Sequence, residues 1–256
     1  MDLQYMLDTF LLTLQGIPNT LIITFGSIFI AAPIAFSFSL IRFYNVPVVS
    51  QIIKIYISML RATPLILLIM IFYSFLPSFL NVMFNKLNWN IDIFAIEPIF
   101  LAMLVFVIVV TGSLTEVFRS ALLTVDKGQL EAGVATGLTV FQTFRRIIIP
   151  QAIVSAIPPL CNLVITVIKG TSLVFVMTVK DVTAIAKVQA AFGYRYTESY
   201  VVIFIMYIIL CSIIQIIFKN IEDRIIWRKR EHPIGGKKVS KLVERKIADA
   251  KSTKFI

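Results

Sequence analysis

The chain has 256 residues, of which 58% are apolar, and a mean hydropathy of +0.90. Soluble domains sit nearer half apolar, so the composition excludes an ordinary soluble protein and points to a membrane one. The net charge of +10 is uneven: twelve of the 24 Lys and Arg lie in 219–256.

Five stretches carry no Asp, Glu, Lys or Arg: 9–41, 62–85, 98–115, 147–168 and 199–218. A helix needs about 20 apolar residues to cross a bilayer, so each stretch supplies one span. The expected architecture is an all-α membrane bundle of five helices, residues 1–222, followed by a basic tail, 223–256. A secretory signal needs a basic start. No Lys or Arg precedes Arg42, while Asp2 and Asp8 are acidic, so the first helix is expected to be retained. The positive-inside rule places the tail in the cytoplasm and, with five spans, the N-terminus outside. Lys180, Lys187 and Arg195 then fall on the outer side, against the rule.

In chain order, residues 1–20 form a short amphipathic lead-in closed by Gly16-Ile17-Pro18-Asn19. Span one follows at about 20–41 and contains Pro33, which removes a backbone donor and tends to kink a helix. Residues 42–55, with Arg42 and Lys54, are expected to be an inner connection. Span two covers about 60–77, with Arg61 at its border either snorkelling to the interface or serving packing or gating. Residues 78–97 make an outer loop in which Trp89 is an interface anchor. Span three covers about 98–118. Glu116 and Arg119, three apart near its end, can pair on a helix; the pair is either an interfacial ion pair or part of a translocation path.

Residues 126–150 form a polar segment between apolar stretches. Asp126 and Gln129 have capping-box spacing, and Gly137 stands where the short helix must stop. A second helical run places Phe141, Phe144 and Ile148 on one face. Helix, glycine turn, amphipathic helix is a shape that docks into a groove on another protein. Pro150 opens span four, about 152–174, where Pro158-Pro159 is expected to distort the helix. Asn162, Lys169, Thr171 and Ser172 concentrate polar groups there and, with Glu116, are the expected lining of a path. Span five, about 199–219, reads as scaffold.

The basic tail suits contact with anionic lipid better than nucleic acid. Gly235-Gly236-Lys237-Lys238 lacks the upstream Gly and the Ser/Thr of a P-loop, so no ATP hydrolysis is expected from this chain. Cys161 and Cys211 lie in apolar stretches without metal-ligand spacing, and His232 has no catalytic partner. No cofactor, no metal and no enzyme activity are expected.

The central stretch Gly128-Gln129-Leu130-Glu131-Ala132, with Gly137, resembles the EAA motif of permeases in ATP-binding cassette importers. The chain is more narrowly similar to their polar amino-acid permeases. Leu60-Arg61-Ala62-Thr63-Pro64-Leu65, Thr115-Glu116-Val117-Phe118-Arg119, Ile149-Pro150-Gln151-Ala152 and Lys169-Gly170-Thr171-Ser172-Leu173 match in order and spacing, over roughly residues 10–222. Ala62 replaces a usual glycine and Gly133 a usual alanine. The second change is expected to weaken the helix by up to about 1 kcal/mol. The resemblance implies that Gly128, Gln129, Glu131, Ala132 and Gly137 couple the membrane domain to a separate ATPase subunit, which binds ATP and Mg. It also implies a second copy or a similar permease, and an external solute-binding protein that delivers an amino acid, cystine being one polar choice. The alternative is an ion-gradient-driven amino-acid transporter. That would call for acids in mid-span or two repeated halves, and neither is seen.

Overall fold

The computed structural model describes residues 2–89 and 95–231, with side chains to residue 225. Every element among the described residues is helical: α1 Leu3–Thr13, α2 Ile17–Phe43, α3 Val49–Ala62, α4 Leu65–Lys86, α5 Pro98–Leu123, α6 Gly128–Ala135, α7 Val140–Thr143, α8 Ile149–Thr171, α9 Val182–Gly193 and α10 Tyr196–Glu231. Short 3-10 turns lie at Leu14–Gly16 and Val174–Met177, and a π turn, Phe144–Ile148, joins α7 to α8. By internal packing the chain divides into units 1–218 and 219–256. Of the second unit the described part, 219–231, is helical; Lys237, Lys238 and His232 lie outside the described residues.

Among the described residues, five helical stretches are long and apolar enough to cross a membrane: Leu3–Phe43, Leu65–Lys86, Pro98–Leu123, Val140–Thr171 and Tyr196–Ile225. The all-α bundle of five apolar helices is therefore present. Its details differ from the sequence expectation in three places.

First, residues 49–62 form a helix of their own rather than part of a connection. Pro64 has no N–H and drives the residue before it out of helical geometry. Thr63 accordingly sits at φ −100°, ψ 128°, and the chain breaks between α3 and α4. Second, the next apolar helix starts at Leu65 and continues through Pro77 to Lys86, where 60–77 was expected. Third, α8 passes unbroken through Pro158 and Pro159. The irregularity lies before it, in the π turn.

Helix α5 is the centre, with α2 and α8 packed against it. The face α2 turns inward is a stripe of small residues: Thr20, Thr24, Ser27, Ala31, Ala35 and Ser39, all fully buried. Small residues let backbones approach closely in a membrane, where hydrophobicity gives helices little reason to associate. Three of the four hydroxyls along the stripe are occupied locally: Thr24 donates to the Thr20 carbonyl at 2.8 Å, Ser27 to that of Thr24 at 3.0 Å and Ser39 to that of Phe36 at 2.7 Å, while the Thr20 hydroxyl has no partner among the described residues. Facing them are Ala102, Val105, Phe106, Val110 and Leu114 of α5. Gly112 admits α3, since a Cβ there would sit 2.8 Å from a Leu60 methyl carbon.

Candidate coupling segment and polar clusters

The polar segment is a helix, a left-handed glycine and a second short helix. At its entry the expected capping box of Asp126 and Gln129 is not formed, since Lys127 occupies the N-cap without a side-chain bond. The Asp126 carboxylate instead accepts the Gly128 N–H at 2.6 Å, turning on its own loop. The capping box lies thirteen residues on. Thr139 Oγ1 accepts from the Gln142 N–H at 3.2 Å, and Gln142 Oε1 accepts from the Thr139 N–H at 3.0 Å.

Between them Gly137 stops α6 at φ +88°, a conformation side chains rarely adopt. The Leu138 N–H donates to the Gly133 carbonyl at 3.2 Å and the Gly137 N–H to that of Val134 at 2.9 Å. That pair of bonds is a Schellman motif, which returns the chain so that α7 lies against α6. The two helices meet at Gly133. A Cβ there would sit 2.7 Å from Thr143 Oγ1 and 3.1 Å from Thr143 Cβ. Gly133 is therefore not a weak point in a helix; it is what lets the turn close.

The segment is seated on the bundle by Leu130, Phe144 and Ile148, which pack with Ala121 and Leu122 of α5 and Ala152 of α8. Phe141 was expected beside Phe144 and Ile148, yet it is 72% exposed. The π turn adds a residue to the helical repeat just after it and takes Phe141 off the buried face. Gly128, Gln129, Glu131, Ala132 and Gly137 are all exposed, with Val134, Val140 and Phe141 as exposed apolar neighbours. Exposed apolar groups with a few polar groups around them are the make-up expected of a docking surface.

Behind it lies an ion network. Glu116 of α5 pairs with Arg42 of α2 and accepts from Arg119 Nε at 3.2 Å. The Arg42 and Glu116 side chains are only 10% and 18% exposed. The pair with Arg119 follows from spacing. The pair with Arg42 joins residues 74 apart, which no local pattern reveals.

The expected path residues do not form one cluster. Asn162 and Lys169 are exposed on one face of α8, with Ser155 and Thr166 on the same face. Thr171 is fully buried and donates to the Ile168 carbonyl at 2.7 Å. Ser172 is half-buried and donates to that of Lys169 at 2.7 Å. Glu116 is in the ion network described above.

A buried acid was missed. Asp181 is fully buried and caps α9, accepting from the Ala184 N–H at 2.8 Å, the Thr183 N–H at 3.1 Å and the Tyr207 hydroxyl at 3.3 Å. Burial pushes its carboxyl above the usual value, while these donors pull the other way. The sequence signal was an Asp directly before an apolar helix. The Asp181 backbone also packs on Gly16, where a Cβ would lie 2.5 Å from the Asp181 carbonyl carbon.

Two of the three cations that strained the positive-inside rule have local partners. Arg195 pairs with Asp2 and lies over the Tyr5 ring, and Lys187 sits 3.4 Å above the Phe175 ring.

Residues 27–227 match the family described as binding-protein-dependent transport system inner membrane component. The chain belongs to this family. This inner-membrane transport component is 31% identical over 221 residues to the L-cystine transport system permease protein TcyL of Bacillus subtilis, covering 86% of the chain and 90% of the relative. It is 33% identical over 223 residues to the probable amino-acid permease protein YxeN of the same organism, covering 87% and 95%. Among solved structures it is similar to an amino acid ABC transporter crystallised with histidines, at a TM-score of 0.72 and 25% identity over 88% of the chain and 99% of that one. The MetNI methionine ABC transporter, inward facing, shares the fold at a TM-score of 0.64. The family is one of transport components, not of enzymes.

Proposed function

We propose that this transport component is the permease subunit of an ATP-driven importer for amino acids, docked through α6 and α7 to a separate ATPase subunit that binds ATP and Mg. The observation that carries the reading is the α6–Gly137–α7 segment, an exposed docking surface seated directly on α5 and α8. The amino-acid and cystine relatives support the substrate class. A polar amino acid such as cystine is the finer reading, and the plasma membrane of a prokaryote is the location.

The geometry supplies a mechanism. ATPase subunits closing on ATP move the partner groove in which α6 sits. Gly133 against Thr143 makes α6 and α7 one body, and Leu130, Phe144 and Ile148 carry its displacement to α5 and α8. A packed body that shifts between two arrangements switches access from one side to the other. In this reading the α6 end faces the cytoplasm and the α1 end faces outside, where a solute-binding protein delivers the substrate.

Asn162 and Lys169 face away from the chain's own core. An ammonium against lipid is costly, so this face of α8 turns toward a second permease copy, or a similar permease, across the path. Lys169 there would attract the carboxylate of an amino acid, with Ser172 in the next turn; Thr171, buried in the packing, and Glu116, held by Arg42 and Arg119, would support the path from behind rather than line it.

The test is uptake by vesicles holding the permease, the ATPase and the binding protein. Uptake is expected to require ATP and to survive collapse of ion gradients. Uptake driven by a gradient without ATPase would transfer the chain to the ion-coupled class. Alanine at Asn162 and Lys169 is expected to lower uptake with ATPase binding intact; silence at both would remove the path assignment.

A further inference from the structure

A cavity of about 670 Å³ opens between the ends of α2 and α5, α3 and the coupling helix. Six charged residues line it: Arg42, Lys54, Arg119, Lys127, Asp126 and Glu131. Their charges do not cancel in place. Arg42 and Arg119 share Glu116, and the Asp126 carboxylate is turned onto the Gly128 N–H. Among the described residues, Lys54 and Lys127 are in no salt bridge. Glu131 is likewise in no salt bridge, so with Glu116 counted four cations meet three carboxylates, and the cavity keeps one net positive charge, with both lysine ammonium groups open to a ligand, over an apolar floor that includes Leu122 and Ile148.

Helix α3, which supplies Lys54, has three faces. Ser50, Ile53 and Ile57 are buried against the bundle. Gln51, Lys54 and Ser58 form an exposed polar face. Ile52, Ile55 and Met59 form an exposed apolar ridge, 60%, 53% and 65% accessible. A soluble anion or an acidic protein side chain needs only the cations. A cationic cavity beside an exposed apolar ridge matches a molecule that is anionic at one end and apolar at the other.

We propose that this cavity seats the phosphate headgroup of an anionic phospholipid, with its acyl chains along the Ile52, Ile55 and Met59 ridge. The volume is within the range of small-molecule sites, and basic pockets between membrane helices are suited to phosphate headgroups. The proposal rests on the reading that the α6 end faces the cytoplasm, which puts the cavity at the inner leaflet. It does not require that α6 bind an ATPase, so the two can fail separately.

The experiment uses the full-length chain in phosphatidylcholine micelles doped with photoactivatable phosphatidylglycerol or photoactivatable phosphatidylcholine. Labelled peptides are mapped by mass spectrometry. Label from phosphatidylglycerol is expected within 42–59 and 119–131, exceeding that from phosphatidylcholine by about twenty-five-fold, at about fivefold for each lysine. Lys54→Gln with Lys127→Gln is expected to bring the two lipids to parity, and Lys54→Arg with Lys127→Arg to keep the preference. Both lysines are exposed, so the fold tolerates the change. Equal labelling by both lipids, label confined to 219–256, or a preference that persists in the double Gln variant would each overturn the proposal. Displacement of the label by inorganic phosphate would make this a free-anion site, and displacement by added ATPase would assign the cavity to that interface; either overturns the lipid assignment.

Discussion

Gly133→Ala sets helix propensity against packing at the heart of the coupling segment. Alanine is the better helix former by up to about 1 kcal/mol, and on that ground alone the variant stabilises α6. The packing term is opposite and larger. The new Cβ would sit 2.7 Å from Thr143 Oγ1 and 3.1 Å from Thr143 Cβ. Thr143 cannot swing aside: it is fully buried and its hydroxyl donates to the Thr139 carbonyl at 3.0 Å. Overpacking of this kind costs about 1–3 kcal/mol, so the net expectation is a loss of about 1 kcal/mol. Thr143→Ala removes the two nearest clashing atoms, so the double variant should lie about 1 kcal/mol above the sum of the singles. Hydrogen exchange of peptides covering 128–143 in the full-length chain reads this directly, with exchange about fivefold faster in Gly133→Ala, equivalent to about 1 kcal/mol. Slower exchange in that variant would refute the packing argument and restore propensity as the governing term.

Two further expectations concern buried charge. Glu116→Gln leaves Arg42, with a side chain only 10% exposed, without its counter-charge. Removing one partner of a buried pair costs about 3–5 kcal/mol, and the partly wet helix end argues for about 3, seen as a lowered melting temperature in detergent; an unchanged one would contradict it. At Asp181, Asn keeps cap acceptance, whereas Ala strands the Thr183 and Ala184 N–H groups and loses about 1 kcal/mol of capping, so Asp181→Ala should melt lower than Asp181→Asn. Burial raises the Asp181 carboxyl above 3.8, so the folded chain holds this proton to higher pH than the unfolded one. The contribution of Asp181 then falls as pH rises from about 4 through the raised value. The melting temperature of the wild type relative to Asp181→Asn should decline across that window; a rise would mean the hydrogen bonds outweigh burial.

The long charge-free stretches made the five apolar helices legible, because a span is defined by the absence of charge over about 20 residues. Gly137 was legible for a different reason: only a left-handed residue ends a helix in that way, and glycine takes that geometry at least cost. Helix α3 was hidden because Gln51, Lys54, Ser58 and Arg61 interrupt its hydrophobicity while only one of its three faces is buried. The Thr63-Pro64 break was visible in principle from the proline, but the apolar stretch around it drew the span boundary too early. Pairings between distant helices, such as Arg42 with Glu116 or Asp181 with Tyr207, depend on tertiary contact and leave no local trace. The substitution of glycine for alanine at 133 was misjudged for the same reason, since its value lies in Thr143, ten residues away and folded back against it.

The most direct measurement of the central claim is co-purification of the ATPase subunit with the full-length chain in lipid. The wild type should retain it, while Glu131→Ala, which removes an exposed carboxylate of the docking surface, and Gly137→Pro, which cannot adopt φ +88°, should lose it with membrane insertion unchanged. Retention of the ATPase by both variants, or transport by a chain that binds none, would contradict the account.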